Sequence, residues 1–259
     1  MYKTRHIRTA VQHVIQQIDV KHQYALYLDI DGTLAEFQLD PENSFIPSTT
    51  LASLQTLRKL NLPVIIATGR DLQAARRLVP LNVPIAASHG LEIDFGQQIL
   101  LPRIDPAQLH RMQQELITLT QHLPLRVEQK TYSIALHHRE CPAYAAQAER
   151  IARHIVKKHP NFQLKLGHCV WEVAPIGADK GTAIRDVHEH LGLQQHIPIF
   201  IGDDVTDEDG FEVVNQYGGV SIKIGDSPTQ ARFQCANIQA CAYFLAELAM
   251  LLQQQKEKL

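Results

Sequence analysis

The chain has 259 residues, 45% of them hydrophobic and 20% charged, with 25 Lys and Arg against 27 Asp and Glu for a formal net charge of −2. A chain of this size and composition buries a core without disulfides, as one large domain or two modest ones, which excludes wholesale disorder. The near-neutral balance excludes a broad nucleic-acid or anionic-membrane surface, and four scattered cysteines with no Cys-x-x-Cys pair exclude a disulfide framework and a zinc knuckle.

At the N-terminus Ile7, Val11, Val14 and Ile18 recur at helical spacing and predict an amphipathic first helix rather than a transit peptide. Short apolar runs then alternate with helical patterns, the signature of a parallel sheet covered by helices. The predicted strands are 25–29, 63–68, 84–88, 197–202 and 220–224, and the helices between them are 47–60, 71–79, 180–191 and 209–216. Segments 91–94 and 98–101 read as a small hairpin. The middle is different: a helix at 107–122, strands at 125–128 and 132–138, a helix at 142–159, then strands at 162–166 and 169–173. Adjacent strands there are close enough in sequence to pair antiparallel, making a self-contained α+β insert. Pro102 and Pro106 punctuate its entry, and Pro175 and Gly177 its exit, as plausible hinges. The expectation is a Rossmann-like parallel-sheet core of residues 1–103 and 175–259 with an α+β domain inserted at 104–174. Near the C-terminus the run 241–252 is broken by Glu247 and is too short for a bilayer, and Gln253 to Lys256 read as a solvated, frayed helix end. With four reduced thiols, this describes a cytoplasmic protein.

Polar residues gather where the predicted parallel strands end: Asp29-Ile30-Asp31-Gly32-Thr33, Thr68-Gly69-Arg70, Ser88-His89-Gly90 and Gly202-Asp203-Asp204. The carboxyl edge of an open α/β sheet is where such folds bind ligands. One polar loop after a strand is ordinary; four converging on one crevice are not. Asp29, Asp31 and Asp203 brought together would repel one another unless a cation lay between them, and oxygen donors without His or Cys suit Mg²⁺ rather than Zn²⁺. Lys180, opening a helix beside its N-terminal N–H groups, and the Thr68 hydroxyl with the Gly69 N–H complete a site for a phosphoryl group.

These residues resemble the four motifs of the haloacid dehalogenase superfamily: YLDIDGTL at 27–34, Thr68 of IATGR, Lys180 of DKG and Asp203/Asp204 of IGDDVTDE, in that order. The inserted segment corresponds to its type-2 cap. With SHG at 88–90, VEQK at 127–130, IALHHR at 134–139 and CVWEVAPIGADKG at 169–181, the chain is similar to the trehalose-6-phosphate phosphatase family from about residue 24 to 225.

The resemblance implies that Asp29 is the nucleophile, forming an aspartyl-phosphate, and that Asp31 is general acid for the departing sugar oxygen and then base for water. Dehalogenase members lack the second aspartate. It implies Mg²⁺ on the Asp29 carboxylate, the Asp31 backbone carbonyl and Asp203, with Asp204 and Asp207 organising the loop. Lys180 would pair with Asp29 and the phosphate, and Thr68 and Gly69 would bind phosphoryl oxygens. Two readings stand for Arg70: a substrate contact, or a helix N-terminal residue paired with a surface carboxylate. Glu128 and Lys130, two apart on an extended segment, face one way. Their residue types alone describe a solvated surface pair; the resemblance assigns them, with Glu172, to the distal glucose, and places His89 and Gly90 near the proximal sugar. Trp171 beside valine reads as cap core more readily than as a sugar platform, and His137, His138, His188 and His190 as surface or core packing. Relatives often carry a basic residue near Ala174 or Ile176, and this chain has none.

The implied reaction is hydrolysis of a small-molecule substrate, trehalose 6-phosphate, to trehalose and phosphate, the last step of trehalose biosynthesis, functionally paired with the synthase that makes the substrate. The cap would close over the disaccharide and exclude water. A capped phosphatase for another phosphosugar, a non-catalytic phosphosugar sensor and, more weakly, a mutase are the alternatives.

Overall fold

The computed structural model describes residues 2–38, 40–102, 104–167 and 169–257, without the side chains of 2–8. In chain order its elements are α1 (Tyr2–Ile15), β1 (Tyr24–Leu28), α2 (Ser48–Lys59), β2 (Val64–Ala67), α3 (Leu72–Leu78), β3 (Ile85–Ala87), β4 (Glu92–Asp94), β5 (Ile99–Leu100), α4 (Pro106–Thr120), β6 (Arg126–Gln129), β7 (Ile134–His137), α5 (Ala145–Lys158), β8 (Phe162–Gly167), β9 (Val170–Pro175), α6 (Lys180–His190), β10 (Ile197–Gly202), α7 (Glu208–Gln216), β11 (Val220–Ile224), β12 (Phe233–Cys235) and α8 (Ile238–Lys256). They fall into two compact units, Met1–Leu100 with Asp179–Leu259, and Leu101–Ala178.

The first unit is mixed α/β around an eight-stranded sheet in the order β12-β11-β10-β1-β2-β3-β4-β5. β12 to β3 are parallel; β4 and β5 turn back antiparallel at the edge. The central strands read as continuous apolar runs because both faces are covered. On β1, Leu26 and Leu28 face a layer containing Val11, Val14, Leu54, Leu57, Leu78, Phe244 and Leu248, while Ala25 and Tyr27 face Ile184, Val187, Phe211 and Val214. Successive side chains of a strand point to opposite faces, so β1 is gripped from both sides.

All five predicted parallel strands form, and a sixth, β12, was not foreseen. In α1 the side chains of Val11 and Val14 are buried, Ile18 is buried past the helix end, and Ile7 lies outside the described side chains. The C-terminal expectation holds for solvation, with Gln253, Gln254 and Lys256 exposed, and is corrected for fraying. α8 is regular through Lys256, and Gln255 donates to the Val20 carbonyl at 2.6 Å, so this end is pinned to the body of the unit. His188 is core: its Nδ1 meets the Tyr27 hydroxyl at 2.9 Å and its ring stacks on Tyr217.

The second unit is a four-stranded antiparallel sheet, order β6-β7-β9-β8, with α4 and α5 on one face. Met112, Leu116, Ala148, Ala152 and Ile155 meet Ile134, Leu136, Phe162 and Val173 in its core. Trp171 packs against this core, as the reading of it as cap core required, with the Arg153 guanidinium 6.0 Å from its ring. Pro175 is the last residue of β9, not a hinge beyond it; the turn comes at Gly177, where φ is +85°.

Gly181 decides how closely α6 and α7 approach. A Cβ there would lie 2.6 Å from the Asp209 carbonyl oxygen and 2.9 Å from a Val213 methyl. Helix propensity alone would make Gly181→Ala stabilising by about 1 kcal/mol. The backbone carbonyl cannot step aside, so overpacking of about 1–3 kcal/mol outweighs that gain. Thermal unfolding of Gly181→Ala is expected to show a lower Tm than the parent; a higher one would mean that the helices separate freely.

Candidate active site

β1 delivers Asp29 to the carboxyl edge of the sheet, its backbone N–H bonded to the Ile201 carbonyl of β10 at 3.0 Å. The chain then turns sharply: Leu34 and Ala35 donate to the Ile30 carbonyl, each at 2.8 Å, and Gly32 donates to Ala35 at 2.8 Å. Gly32 has φ +76°, and a Cβ on it would sit 2.0 Å from Asp203 Oδ2. Only glycine permits both the left-handed backbone and this contact between the loops after β1 and β10.

Lys180 comes from the first turn of α6. The Asp179 side chain caps that helix, accepting from the Thr182 N–H at 2.7 Å and from its hydroxyl at 2.9 Å. A helix start is an unfavourable place for an ammonium. Two carboxylates hold it there: Lys180 Nζ lies 2.7 Å from Asp29 Oδ1 and 2.6 Å from Asp207 Oδ1. All three groups are buried, Lys180 at 2%, Asp29 at 4% and Asp207 at 0% exposure. Burial works against the Lys180 charge, but Asp207 and Asp29 more than offset it, so the ammonium is held above the ordinary lysine value. Asp207 is the junction of the site. Its other oxygen accepts the N–H groups of Asp203 and Asp204, each at 2.9 Å.

The remaining loops meet around these residues. Thr68, 1% exposed, follows β2 and its hydroxyl accepts the Arg70 N–H at 3.2 Å. Ser88 donates to the Arg70 carbonyl at 2.7 Å and His89 to that of Thr68 at 2.9 Å, which ties the loop after β3 to the loop after β2. Ser88 and His89 have φ of +50° and +57°, strained values for residues other than glycine, and Gly90 follows at +92°. The His89 ring packs on Gly69, where a Cβ would approach it to 2.7 Å; Gly90 abuts Ala183 of α6.

Arg70 does not pair with a surface carboxylate. Its Nε and Nη2 donate to the two oxygens of Asp31, both at 2.7 Å, while Nη2 also reaches Ser44 at 2.7 Å and Nη1 the Pro41 carbonyl at 3.1 Å. The fork fixes the plane of the Asp31 carboxylate. That hydrogen bonding to Asp31 raises the Arg70 pKa further.

Asp29, Asp203 and Asp207 each present an oxygen within 4.8 Å of the others. Both oxygens of Asp207 are already engaged, so it shapes the site, leaving Asp29 and Asp203 to face a cation. Asp203 Oδ1 is buried with no hydrogen-bond partner, an orphan acceptor that a cation would satisfy. Burial first, then Asp207, pushes the Asp203 carboxyl up to about 7, and burial holds Asp29 well above the usual carboxylate range despite Lys180. An all-oxygen donor set with surplus negative charge fits a hard divalent ion.

Glu128, Lys130 and Glu172 lie in the second unit. Ala135 of β7 is paired with Glu128 on one side and Glu172 on the other, so the two carboxylates stand on one face of that sheet. Lys130 Nζ meets Glu172 Oε2 at 3.0 Å, and the Ser133 hydroxyl donates to the other oxygen. His137 Nε2 lies 2.7 Å from Glu128 Oε2, and this bond holds the Glu128 carboxyl below its ordinary value. Sequence reasoning also passed over Lys223, a buried cation beside the Asp204 carbonyl. Its signal is the one charge inside a strand of otherwise uncharged residues.

Residues 27–239 match the family model described as Trehalose-phosphatase. The chain belongs to the trehalose-phosphatase family. It is 32% identical over 243 residues to the trehalose-6-phosphate phosphatase of Escherichia coli K12, covering 92% of this chain and 91% of that one. A solved trehalose-6-phosphate phosphatase related protein superposes with a TM-score of 0.71 at 27% identity, covering 89% of this chain and 99% of that one. A sugar phosphatase of haloacid dehalogenase subclass IIB, 16% identical, shares the fold with a TM-score of 0.62 over 89% of this chain and 100% of its own. Membership of the trehalose-phosphatase family makes the chain a phosphohydrolase, and its parallel core sheet with a separate antiparallel cap sheet is the fold of the haloacid dehalogenase phosphatases.

The raised Asp203 pKa has a consequence for the metal-free protein. Between the unfolded value near 4 and the folded value of about 7, the folded state keeps a proton that the unfolded chain releases, so stability declines as pH rises through this window and levels off above it. In chelator at pH 8, Asp203→Asn is expected to unfold at a Tm higher by about 3 °C or more, with the gap closing towards pH 4. Added Mg²⁺ should raise the Tm of the parent but not of the variant. A variant less stable than the parent at pH 8 would show that no such electrostatic penalty exists.

Proposed function

We propose that the enzyme hydrolyses trehalose 6-phosphate to trehalose and phosphate through an aspartyl-phosphate on Asp29, with the buried Asp29–Lys180–Asp207 arrangement as the observation that carries the mechanism. Lys180 engages Oδ1 of Asp29 and leaves the second oxygen for phosphorus. That oxygen attacks in line, the bond from phosphorus to the sugar O6 breaks, and Asp31 gives the departing oxygen its proton. Water then attacks phosphorus, Asp31 takes its proton, and the bond from phosphorus to Asp29 breaks to release phosphate. A carboxylate is a weak nucleophile, so the acceleration comes from positioning and from neutralising the phosphoryl oxygens. Lys180, Thr68 and the Gly69 N–H supply part of that neutralisation. Mg²⁺ held by the Asp29 carboxylate, the Asp31 carbonyl and Asp203 supplies the rest when bound.

Arg70 serves this scheme by orienting Asp31, and Asp204 and Asp207 by shaping the loop that carries Asp203. His89 and Gly90 line the phosphate-proximal sugar position. Residues 104–174 act as the cap domain, in which Glu128, Lys130 and Glu172 offer two carboxylates and an ammonium to the vicinal hydroxyls of the distal glucose. The bonds Glu128–His137 and Glu172–Ser133 hold both carboxylates in place before sugar arrives. A synthase that makes the substrate completes the pathway around this last biosynthetic step. No helix among the described residues is long and apolar enough to cross a membrane, and the four cysteines are free. We place this work in the cytoplasm.

Phosphate release with Mg²⁺ from trehalose 6-phosphate, glucose 6-phosphate, sucrose 6-phosphate and an aryl phosphate tests the reading. Selective turnover of trehalose 6-phosphate is expected, lost with chelator and at least ~10³-fold lower in Asp29→Asn. Comparable rates across the panel would retain the chemistry and overturn the substrate. Glu172→Ala is expected to raise KM about tenfold with kcat little changed, because it removes binding shared by ground and transition states. An unchanged KM would remove Glu172 from sugar recognition.

A further inference from the structure

β11 reads Val-Ser-Ile-Lys-Ile, and every residue of it is buried. Val220, Ile222 and Ile224 join the core layer that includes α1, α2 and α8, so Ser221 and Lys223 point to the opposite face. For packing alone an aliphatic residue would serve at 223. Instead an ammonium stands there at 2% exposure, a placement that needs close, specific partners. It has two. Nζ of Lys223 donates to the Asp204 carbonyl at 3.1 Å and lies 3.5 Å from Glu208 Oε1. Glu208 in turn accepts the Gln230 N–H at 2.8 Å through its other oxygen.

These contacts bracket the loop that carries Asp203. Asp204 opens the turn 205–207, Glu208 is the first residue of α7, and between them Asp207 is gripped by Lys180. Two buried lysines from different elements therefore hold one six-residue segment. Lys180 also touches Asp29, whereas the ion-pair and hydrogen-bond partners of Lys223 among the described residues all lie in this segment. We propose that Lys223 is a positioning residue, which holds the 203–208 segment in the shape that presents the Asp203 carboxylate to a divalent cation. The proposal rests on the assignment of Asp29 and Asp203 to a cation site, and it deepens that assignment by naming what keeps the ligand loop in register. Lys223 itself contacts neither ion nor substrate.

The test uses Mn²⁺ as probe, with free ion counted by electron paramagnetic resonance in the full-length protein. The proteins compared are the parent and Asp203→Ala, Lys223→Met, Lys223→Gln, Lys223→Arg and Ser221→Ala. The parent should bind Mn²⁺ and Asp203→Ala should not. Lys223→Met and Lys223→Gln are expected to fold and to bind Mn²⁺ about tenfold more weakly, the loss typical when a ligand's supporting contact is removed. At saturating Mg²⁺ their KM for trehalose 6-phosphate should stay within about twofold of the parent. Lys223→Arg, which keeps a buried donor and charge, should recover most of the affinity. Ser221→Ala loses two side-chain hydrogen bonds, to Asn215 and from the Arg232 N–H, on the same face of the same strand and should leave Mn²⁺ affinity unchanged. The proposal is overturned by a folded Met or Gln variant with parental affinity, by an equal loss in Ser221→Ala, or by failure of all three Lys223 variants to fold, which would make its role one of general stability. A parent protein that binds no Mn²⁺ overturns the cation assignment itself, an outcome distinct from binding that ignores Lys223.

Discussion

The site is organised by one ammonium buried between two carboxylates. Removed from water, Lys180 is tolerable only because Asp29 and Asp207 flank it, and they are tolerable at full burial only because it lies between them. Each partner then fixes something else. Asp29 is tied by its backbone to β10, and Asp207 spends its second oxygen on the N–H groups of Asp203 and Asp204. Three stretches distant in sequence are thereby held in one register by a group that carries no information about any of them individually.

The framework was legible because buried parallel strands are short apolar runs and because their ligand-binding edge is marked by abrupt changes to small and acidic residues. The positions of Asp29, Thr68, Lys180 and Asp203 at strand and helix ends follow from that alone. What escaped has a common physical character. The Arg70–Asp31 fork joins residues 39 apart, and Glu128 finds His137 diagonally across a strand pair. Such pairings have no periodicity, so a reading based on periodicity cannot contain them. β12 escaped because it is three residues long with a glutamine at its centre. The order of the C-terminal helix end escaped because it depends on one polar side chain, that of Gln255, meeting the distant Val20 carbonyl.

The acidic cluster also shows where stability was given up. Asp203 keeps an unpartnered buried oxygen, and its carboxyl and that of Asp29 are pushed towards protonation. Ser88 and His89 add backbone strain at the neighbouring strand end. A fold optimised for persistence alone would have relieved each of these, and they are concentrated at one edge of one sheet.

The second unit is a single uninterrupted stretch, and this has a bearing on synthesis. β1 pairs with β10 across about 170 residues, with Leu28 opposite Ile201. On a ribosome adding roughly 5–20 residues per second, β1 to β3 wait on the order of 10–30 s for that neighbour. Leu101–Ala178, whose strands pair only among themselves, is by then complete. The nascent protein therefore folds the unit with Glu128, Lys130 and Glu172 while the strand that leads into Asp29 still has an open edge, and the cluster of Asp29, Lys180 and Asp207 is assembled last.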